Sequence, residues 1–296
     1  MSTVLITGCS SGLGFVTAQT LVAKGHTVVA TMRALEGRNA DAASKLQAAC
    51  EGQSGTLHLV DLDVSDDASV AAAVSRSTEL AGALDVVVHN AAYGTGGLME
   101  TIPVEQMRKV FEVNVFGPQR LSRAVLPSMR ARKQGLLIFV SSTIARIPFP
   151  NFGAYGPSKV ALESIAENYA AELRPFAVDV TIVQPGGYAT SFFNNMQASA
   201  DAERVASYGE VGEAAAAQLQ GMAQMMSAPE VSRGQEVADA IAELVDAPAG
   251  QRPLRKVVDL AMGEAVEAIN GAISAIVAKV FEGMAAAAAA AQNQDG

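Results

Sequence analysis

The chain predicts an α/β fold, a doubly wound parallel sheet of about seven strands flanked by helices, with a C-terminal helical extension. Three observations carry this expectation. Short β-rich apolar runs alternate with helix-patterned segments, the order that builds a parallel sheet. The run Leu84–Val88 is almost wholly apolar, as a strand buried on both faces must be. A glycine-rich turn separates the first run from the first helical pattern, and strand, turn and helix N-terminus in that order make an anion site.

Thr3–Thr7 is the first strand, and Gly8-Cys9-Ser10-Ser11-Gly12-Leu13-Gly14 follows it before a helical pattern through Lys24. Free backbone N–H groups and the positive helix end face this turn. Its spacing is G-x-x-x-G-x-G, not the G-x-G-x-x-G of the dinucleotide fingerprint. Thr27–Thr31 reads as the second strand and ends in Met32-Arg33. An NAD-selective site places a carboxylate about 20 residues past the turn to hold the ribose 2′-hydroxyl, whereas an arginine accommodates a 2′-phosphate. Met32 offers no carboxylate and Arg33 offers a cation, so NADP(H) is favoured over NAD(H); the plainer role for Arg33 is solvating a strand end.

Residues 39–51 read as helical, and Thr56–Leu62 as a third strand running into Asp63-Val64. Ser65-Asp66-Asp67 then opens a helix with capping residues and early negative charge. Asp63, at a strand terminus, can accept a hydrogen bond from an adenine amino group or serve as a helix-entry residue. The fourth strand, Leu84–Val88, runs into His89-Asn90-Ala91-Ala92-Tyr93-Gly94, whose small residues let backbone approach a ligand. His89 reads as a satisfied near-core residue rather than a catalyst. Pro103 opens a long helical segment, interrupted around Asn114–Pro118 and continuing to about Arg132. Pro118 removes a donor and kinks the helix, which can free an Asn114 carbonyl or side chain to bind water.

The stretch Gly135–Lys159 organises the rest. Leu136–Val140 is a buried strand ending in Ser141-Ser142, which places Ser142 at the carboxyl end of the sheet, where such folds keep their ligand crevice. Tyr155 and Lys159 then share one face of a helix running to about Leu173, with Pro157 tolerated in its first turn. A free phenol, with a pKa of about 10, is a poor base at neutral pH. Lowering that value by roughly three units takes about 4 kcal/mol of preferential stabilisation of the phenolate. An ammonium one turn away, helped by a positively charged nicotinamide, can supply it. Ser142 would hold a substrate oxygen against the phenol in the geometry that acid–base catalysis needs. The plain alternative is an ordinary exposed Tyr–Lys helix pair.

Val178–Val183 is a sixth strand, followed by Gln184-Pro185-Gly186-Gly187-Tyr188-Ala189-Thr190. Residues 191–229 are rich in Met, Ala and Gln and read as helical and mobile, suited to an adaptable apolar pocket or lid. Gln235–Val245 is an amphipathic helix, and Arg255–Leu260 a last strand. Residues 1–260 thus form one domain and 261–296 an addition. There Met262, Val266, Ile269, Ile273, Ile276, Val280 and Met284 make an apolar seam that can pair subunits, cover the crevice or pack on the body. The Ala285–Ala291 run and Gln292–Gly296 are expected to fray.

A chain with 50% apolar and 17% charged residues can bury one large core. Its net charge of -9 and pI near 4.9 argue against nucleic acid and anionic membranes as partners. Cys9 and Cys50 have neither metal nor disulfide spacing, so no metal site is expected and a reducing cytosol fits; Cys9 reads as a small loop filler. The start of the chain carries no charged leader, and no long apolar segment is free of interruption, so a cytoplasmic location without a membrane span is expected.

Taken together, Thr7-Gly8-x-x-x-Gly12-x-Gly14, Asp63-Val64, Asn90-Ala91, Asn114, Ser142, Tyr155-x-x-x-Lys159 and Pro185-Gly186 with Thr190 resemble the short-chain dehydrogenases/reductases over roughly residues 2–260. The resemblance implies a Rossmann-type sheet, with Tyr155 as acid/base and Ser142 orienting the carbonyl or alcohol. Lys159 would lower the phenol pKa and hold the nicotinamide ribose, and Asn114 would hold a water linking Lys159 to solvent. It also implies that Gly8, Gly12 and Leu13 border the diphosphate, that Asp63 contacts adenine, and that Pro185, Gly186 and Thr190 border the nicotinamide. Thr31-Met32-Arg33 and Pro185-Gly186-Gly187 with Thr190 resemble the 17β-hydroxysteroid and retinol dehydrogenase-like branch. Ala92 departs from the family's usual glycine, and the extension beyond residue 260 departs from its usual length and tetramer, leaving a homo-oligomer, dimer or tetramer, as the expectation.

The implied function is an NADP(H)-dependent oxidoreductase interconverting a secondary alcohol and a ketone or aldehyde, acting on a moderately apolar small molecule. The rival from another class is a catalytically idle NADP(H)-binding sensor or scaffold. A third is an epimerase or dehydratase on the same scaffold, for which no extra acid/base residue is evident.

Overall fold

Strands buried on both faces set the layers of this computed structural model, which describes residues 1–226, 228 and 231–292, with side chains as far as residue 284. Nine strands are found among the described residues: β1 (Thr3–Thr7), β2 (Thr27–Met32), β3 (Thr56–Asp61), β4 (Val86–His89), β5 (Thr95–Gly96), β6 (Gly135–Val140), β7 (Val178–Pro185), β8 (Gln197–Ala198) and β9 (Arg255–Val258). Seven of them form a parallel sheet in the order β3-β2-β1-β4-β6-β7-β9. Val4 and Ile6 point into one core while Leu5 between them points into the other, as the two-residue period of a strand requires. Between β1 and β4 the winding reverses direction, and a crevice opens at the carboxyl ends there.

Helices α1 (Gly12–Ala23) and α2 (Ala40–Cys50) cover one face together with α10 (Gln235–Asp246). Helices α3 (Asp67–Ala81), α5 (Gly117–Arg132) and α6 (Tyr155–Leu173) cover the other. The Asp66 side chain caps α3 by accepting from the Ala68 backbone N–H, as the acidic start of that segment predicts. Helix α4 (Val104–Phe111) joins α5 through a π-helical turn at Glu112–Phe116, the interruption that the Asn114–Pro118 pattern signals.

Residues 192–226 fold as α7 (Phe192–Asn195), α8 (Ala202–Ser207) and α9 (Glu210–Met226), and are bonded to the body at several points. Strand β8 pairs with β5, the buried Gln106 side chain bonds both the Ala198 carbonyl and the Ala200 N–H, and Glu100 holds Arg204 and Tyr208. The helical content expected from composition is present, and the polar partners of this segment lie on α4 and the turn before it, remote in sequence. Ser227 and Pro229, at the end of that expected segment, and Glu230 just after it lie outside the described residues.

Helix α11 (Gly263–Gln292) starts on the body, where Val266 and Asn270 are buried, and leaves it, since Gly271 through Met284 are all exposed. The apolar seam is therefore divided: its first turns pack on the domain and Ile273, Ile276, Val280 and Met284 face outward. The alanine run expected to fray is helical as far as Gln292, in keeping with alanine's high propensity. Residues 293–296 lie outside the described residues. Among the described residues no helix is long and apolar enough to cross a membrane.

Candidate active site

One cleft at the carboxyl ends of the strands, with a volume of about 1000 Å³, runs from the glycine-rich turn to Tyr155. Gly8, Ser10, Ser11, Gly12, Leu13, Arg33, Asp63, Val64, Asn90, Ser142, Tyr155, Lys159, Pro185, Gly186 and Thr190 all line it. The sheet brings them together because each follows a strand or opens the next helix.

The glycine-rich turn has no room for side chains. Gly8 sits at φ +76 and a Cβ there would come within 2.9 Å of the Ala91 backbone; one on Gly14 would meet the Gly8 carbonyl oxygen at 2.4 Å. The Asn90 amide group holds this turn by donating to the Thr7 carbonyl at 2.8 Å and the Gly8 carbonyl at 3.2 Å. Asn90 thus shapes the cradle from behind. Ser11 bonds Ser191 at 2.7 Å, tying the cradle to the segment that covers the cleft. Cys9 is fully buried and bonded to the Ile6 carbonyl, and burial lifts its thiol to about 12, so it is the filler its position suggests. Ala92 does not adopt a positive φ, so its methyl group costs the turn nothing.

At the far end, Arg33 lies 3.8 Å from Asp63, half exposed. Burial pushes the Asp63 carboxyl up, but hydrogen bonds from Ser65 and the charges of Arg33 and Arg38 outweigh it and hold it below the usual range. One Asp63 oxygen accepts from the Ser65 N–H and hydroxyl, so the helix-entry role is realised while the other oxygen faces Arg33. Arg38 also lines the cleft. It escaped the sequence reading because it sits in the turn after β2, beyond the strand-end position that the spacing argument inspects.

Tyr155 opens α6 beside Ser142, which follows β6. Burial pushes the Tyr155 phenol well above its ordinary value, and a hydrogen bond with the Ser142 side chain draws it part of the way back. Lys159, 2% exposed, donates to the Val140 carbonyl at 2.7 Å, and its ammonium lies 5.6 Å from the centre of the Tyr155 ring. Burial lowers Lys159 to about 8, opposed by the Glu163 carboxylate. In the protein alone burial dominates the phenol, and the ammonium is engaged by a strand carbonyl. Such a phenol keeps its proton at neutral pH, the form that can give one to a carbonyl oxygen.

Of the two Asn114 groups expected to bind a water, the carbonyl and the side chain, the side chain is taken. Asn114 is buried and does not line the cleft; its side chain is spent on the Tyr93 backbone N–H and carbonyl, each at 2.8 Å, and on the Ser158 hydroxyl at 2.9 Å. The π-helical turn rotates it inward to join the loop after β4 to the first turn of α6. His89 is also structural: it stacks on Phe139 at 4.6 Å, bonds Ser122, and burial brings it down to about 3.

Over Tyr155 lie Phe192, with ring centres 4.7 Å apart, and the buried Phe152 packed with Phe193, Met196 and Met222. The Gly8–Gly14 cradle, with cations at one end of the cleft and a tyrosine–lysine pair at the other, suits an elongated dinucleotide, and the glycine clearances above fit its diphosphate.

A family profile described as short chain dehydrogenase matches residues 2–201. The chain belongs to this family. Among its relatives is the 3-ketodihydrosphingosine reductase of Bacteroides thetaiotaomicron, 35% identical over 66% of this chain and 67% of that protein. Human retinol dehydrogenase 8 is 39% identical over 64% of this chain and 60% of its own length, so the chain spans less than two thirds of that relative. A short-chain dehydrogenase structure from Streptomyces avermitilis superposes with a TM-score of 0.73 at 31% identity, covering 95% of both chains. The seven-stranded parallel sheet of this short-chain dehydrogenase is therefore the expected Rossmann-type one. What its sequence concealed are Arg38, the aromatic cover from Phe192 and Phe193, and the carboxylate beneath Lys159; only the pattern of phenylalanines in residues 149–193 hinted at the second.

Proposed function

We propose that this chain is an NADP(H)-dependent oxidoreductase that interconverts a secondary alcohol and a ketone or aldehyde. The observation that carries this is the convergence of Tyr155, Ser142 and Lys159 in the cleft that begins at the glycine cradle. Gly8, Gly12 and Leu13 would hold the diphosphate, Arg33 and Arg38 a 2′-phosphate, and Lys159 the nicotinamide ribose. Once bound, the nicotinamide supplies or accepts the hydride. Ser142 donates to the substrate oxygen and fixes it against Tyr155. Tyr155 gives that oxygen its proton during reduction and takes it back during oxidation. Lys159, held by the Val140 carbonyl, supplies the positive charge that favours the phenolate once the proton has left. Phe152, Phe192, Phe193, Met222 and Met226 line the substrate end without a charge among them, which favours an apolar alcohol or ketone. A cytosolic location and self-association complete the reading.

NADPH consumption over a panel of apolar ketones, with wild type and Tyr155→Phe, tests this. Turnover in wild type that drops by about 10²-fold or more in the variant is expected; equal rates reject the assignment. Titration of NADP against NAD tests the cofactor, and a preference for NAD overturns the role of Arg33.

A further inference from the structure

Glu163 stands one helical turn beyond Lys159 on α6 and is 1% exposed, a carboxylate for which the proton transfer itself has no use. Burying such a charge is costly unless it is paired and hydrogen-bonded. Its partners converge from several elements. One oxygen accepts from the Ser141 hydroxyl at 2.7 Å and from the Gln184 amide at 2.8 Å, the other lies 2.8 Å from Arg146 and 3.7 Å from Arg255. Both arginines also reach Glu167, so two cations face two carboxylates. Asn270 closes the ring from α11, accepting from Arg146 at 2.8 Å and donating to Gln184 at 2.7 Å.

These contacts fall next to the reacting groups. Lys159 grips the Val140 carbonyl and Glu163 the Ser141 hydroxyl, so α6 clamps the last two residues before Ser142. Glu163 and Lys159, at i and i+4, also share a face of the helix. We propose that Glu163 is a positioning residue for the proton-handling set, fixing Ser142 through Ser141 and keeping Lys159 charged, with Asn270 of the C-terminal helix locking Arg146 and Gln184 around it. This rests on the roles given above to Tyr155, Ser142 and Lys159.

The groups facing the pair are Tyr155 and Glu167 from α6, Arg146 from the turn after β6, and Arg255 from β9; the contacts from β7 and α11, through Gln184 and Asn270, are neutral. Glu163 opposes the burial that lowers Lys159 to about 8, so removing its charge lets Lys159 fall further. Glu163→Gln keeps the shape and an acceptor for Ser141 while deleting that charge.

The test follows Lys159 directly, by NMR titration of side-chain-labelled lysines in the cofactor-free protein, assigned with Lys159→Arg, beside kcat against pH with NADPH and a reactive ketone. In Glu163→Gln the Lys159 titration is expected to move down by about one unit or more. The alkaline limb of kcat should move with it, and KM for NADPH should stay within about twofold. If that variant does not fold, Glu163→Asp, with its carboxylate drawn back, is expected to shift Lys159 in the same direction by less. An unmoved Lys159 titration in the folded variant overturns the proposal, whatever the loss of thermal stability. Asn270→Ala is expected to lower kcat about threefold or more without moving Lys159, and a wild-type kcat removes α11 from the proposal. Should Lys159 move while Tyr155→Phe turns over as fast as wild type, the assignment of Tyr155 fails and the Glu163–Lys159 coupling stands.

Discussion

On the proposed reading Tyr155 donates its proton during reduction, and burial keeps that proton on the phenol until then. Tyr155→Phe keeps the ring that Phe192 covers and removes only the hydroxyl, so kcat for reduction should fall by about 10²–10⁴-fold while NADPH binding, followed by fluorescence, stays near wild type. At the other end of the cleft, Arg33 and Arg38 both line the wall, and the proposal gives them a 2′-phosphate to hold. Each charge-assisted hydrogen bond to a phosphate is worth about 1.5–3 kcal/mol, so changing both to alanine should lower kcat/KM for NADPH by roughly 10²-fold or more and leave NADH nearly untouched. At this scale the sequence was legible wherever chemistry dictates spacing, as for Tyr155 and Lys159 on one helical face or Gly8 and Gly14 around a turn without room for a Cβ. It was opaque wherever a side chain meets partners from remote segments: nothing near Asn114 in the chain foretells that Tyr93 and Ser158 will occupy its amide.

Among elements, the π-helical turn between α4 and α5 and the end of α10 each make a specific join. Asn114→Ala leaves the Tyr93 backbone groups and the Ser158 hydroxyl short of partners, at about 1–3 kcal/mol for each buried group left unsatisfied. A melting temperature lower by several degrees is expected, measured by calorimetry. At the end of α10, Asp246 lies 3.1 Å from the buried His26, which also accepts from the Ser2 N–H. Burial lowers His26 below its ordinary value, with Asp246 opposing, so the unfolded chain binds the proton more readily than the folded one. The contribution is complete above the unfolded value of about 6.5 and is lost as pH falls through it toward the folded value. Denaturant midpoints at pH 7.5 and 5.5 should therefore drop more for wild type than for His26→Gln. Strand and helix positions followed from pattern to within a residue or two, since burial on both faces leaves few alternatives for runs such as Val86–His89. The π-helical turn did not, because Pro118 announces only that regular bonding stops.

Across the molecule, the C-terminal helix is two things in sequence. Its first turns carry Val266 and Asn270 into the body, and beyond them every side chain as far as Met284 is exposed. Deleting residues 273–296 should leave the melting temperature of the domain within about a degree, whereas deleting 263–296 strips partners from Arg146 and Gln184 and should lower it by several degrees. The seam's spacing was visible in the sequence, but where it parts from the body was not, because the same apolar period serves an internal and an external partner alike.

The stretch covering the cleft has a further consequence. Residues 192–226 join the frame through a two-residue strand pair and a few side chains such as Gln106 and Glu100, while the proton-handling groups reside on residues 140–163. On the proposed reading, most of the substrate's cover and the groups that move the proton therefore lie in different stretches of the chain, with Phe152 shared between them. Substitutions confined to the first would then change which molecule fits the cleft and leave the hydrogen bonds around Lys159 and Glu163 as they are.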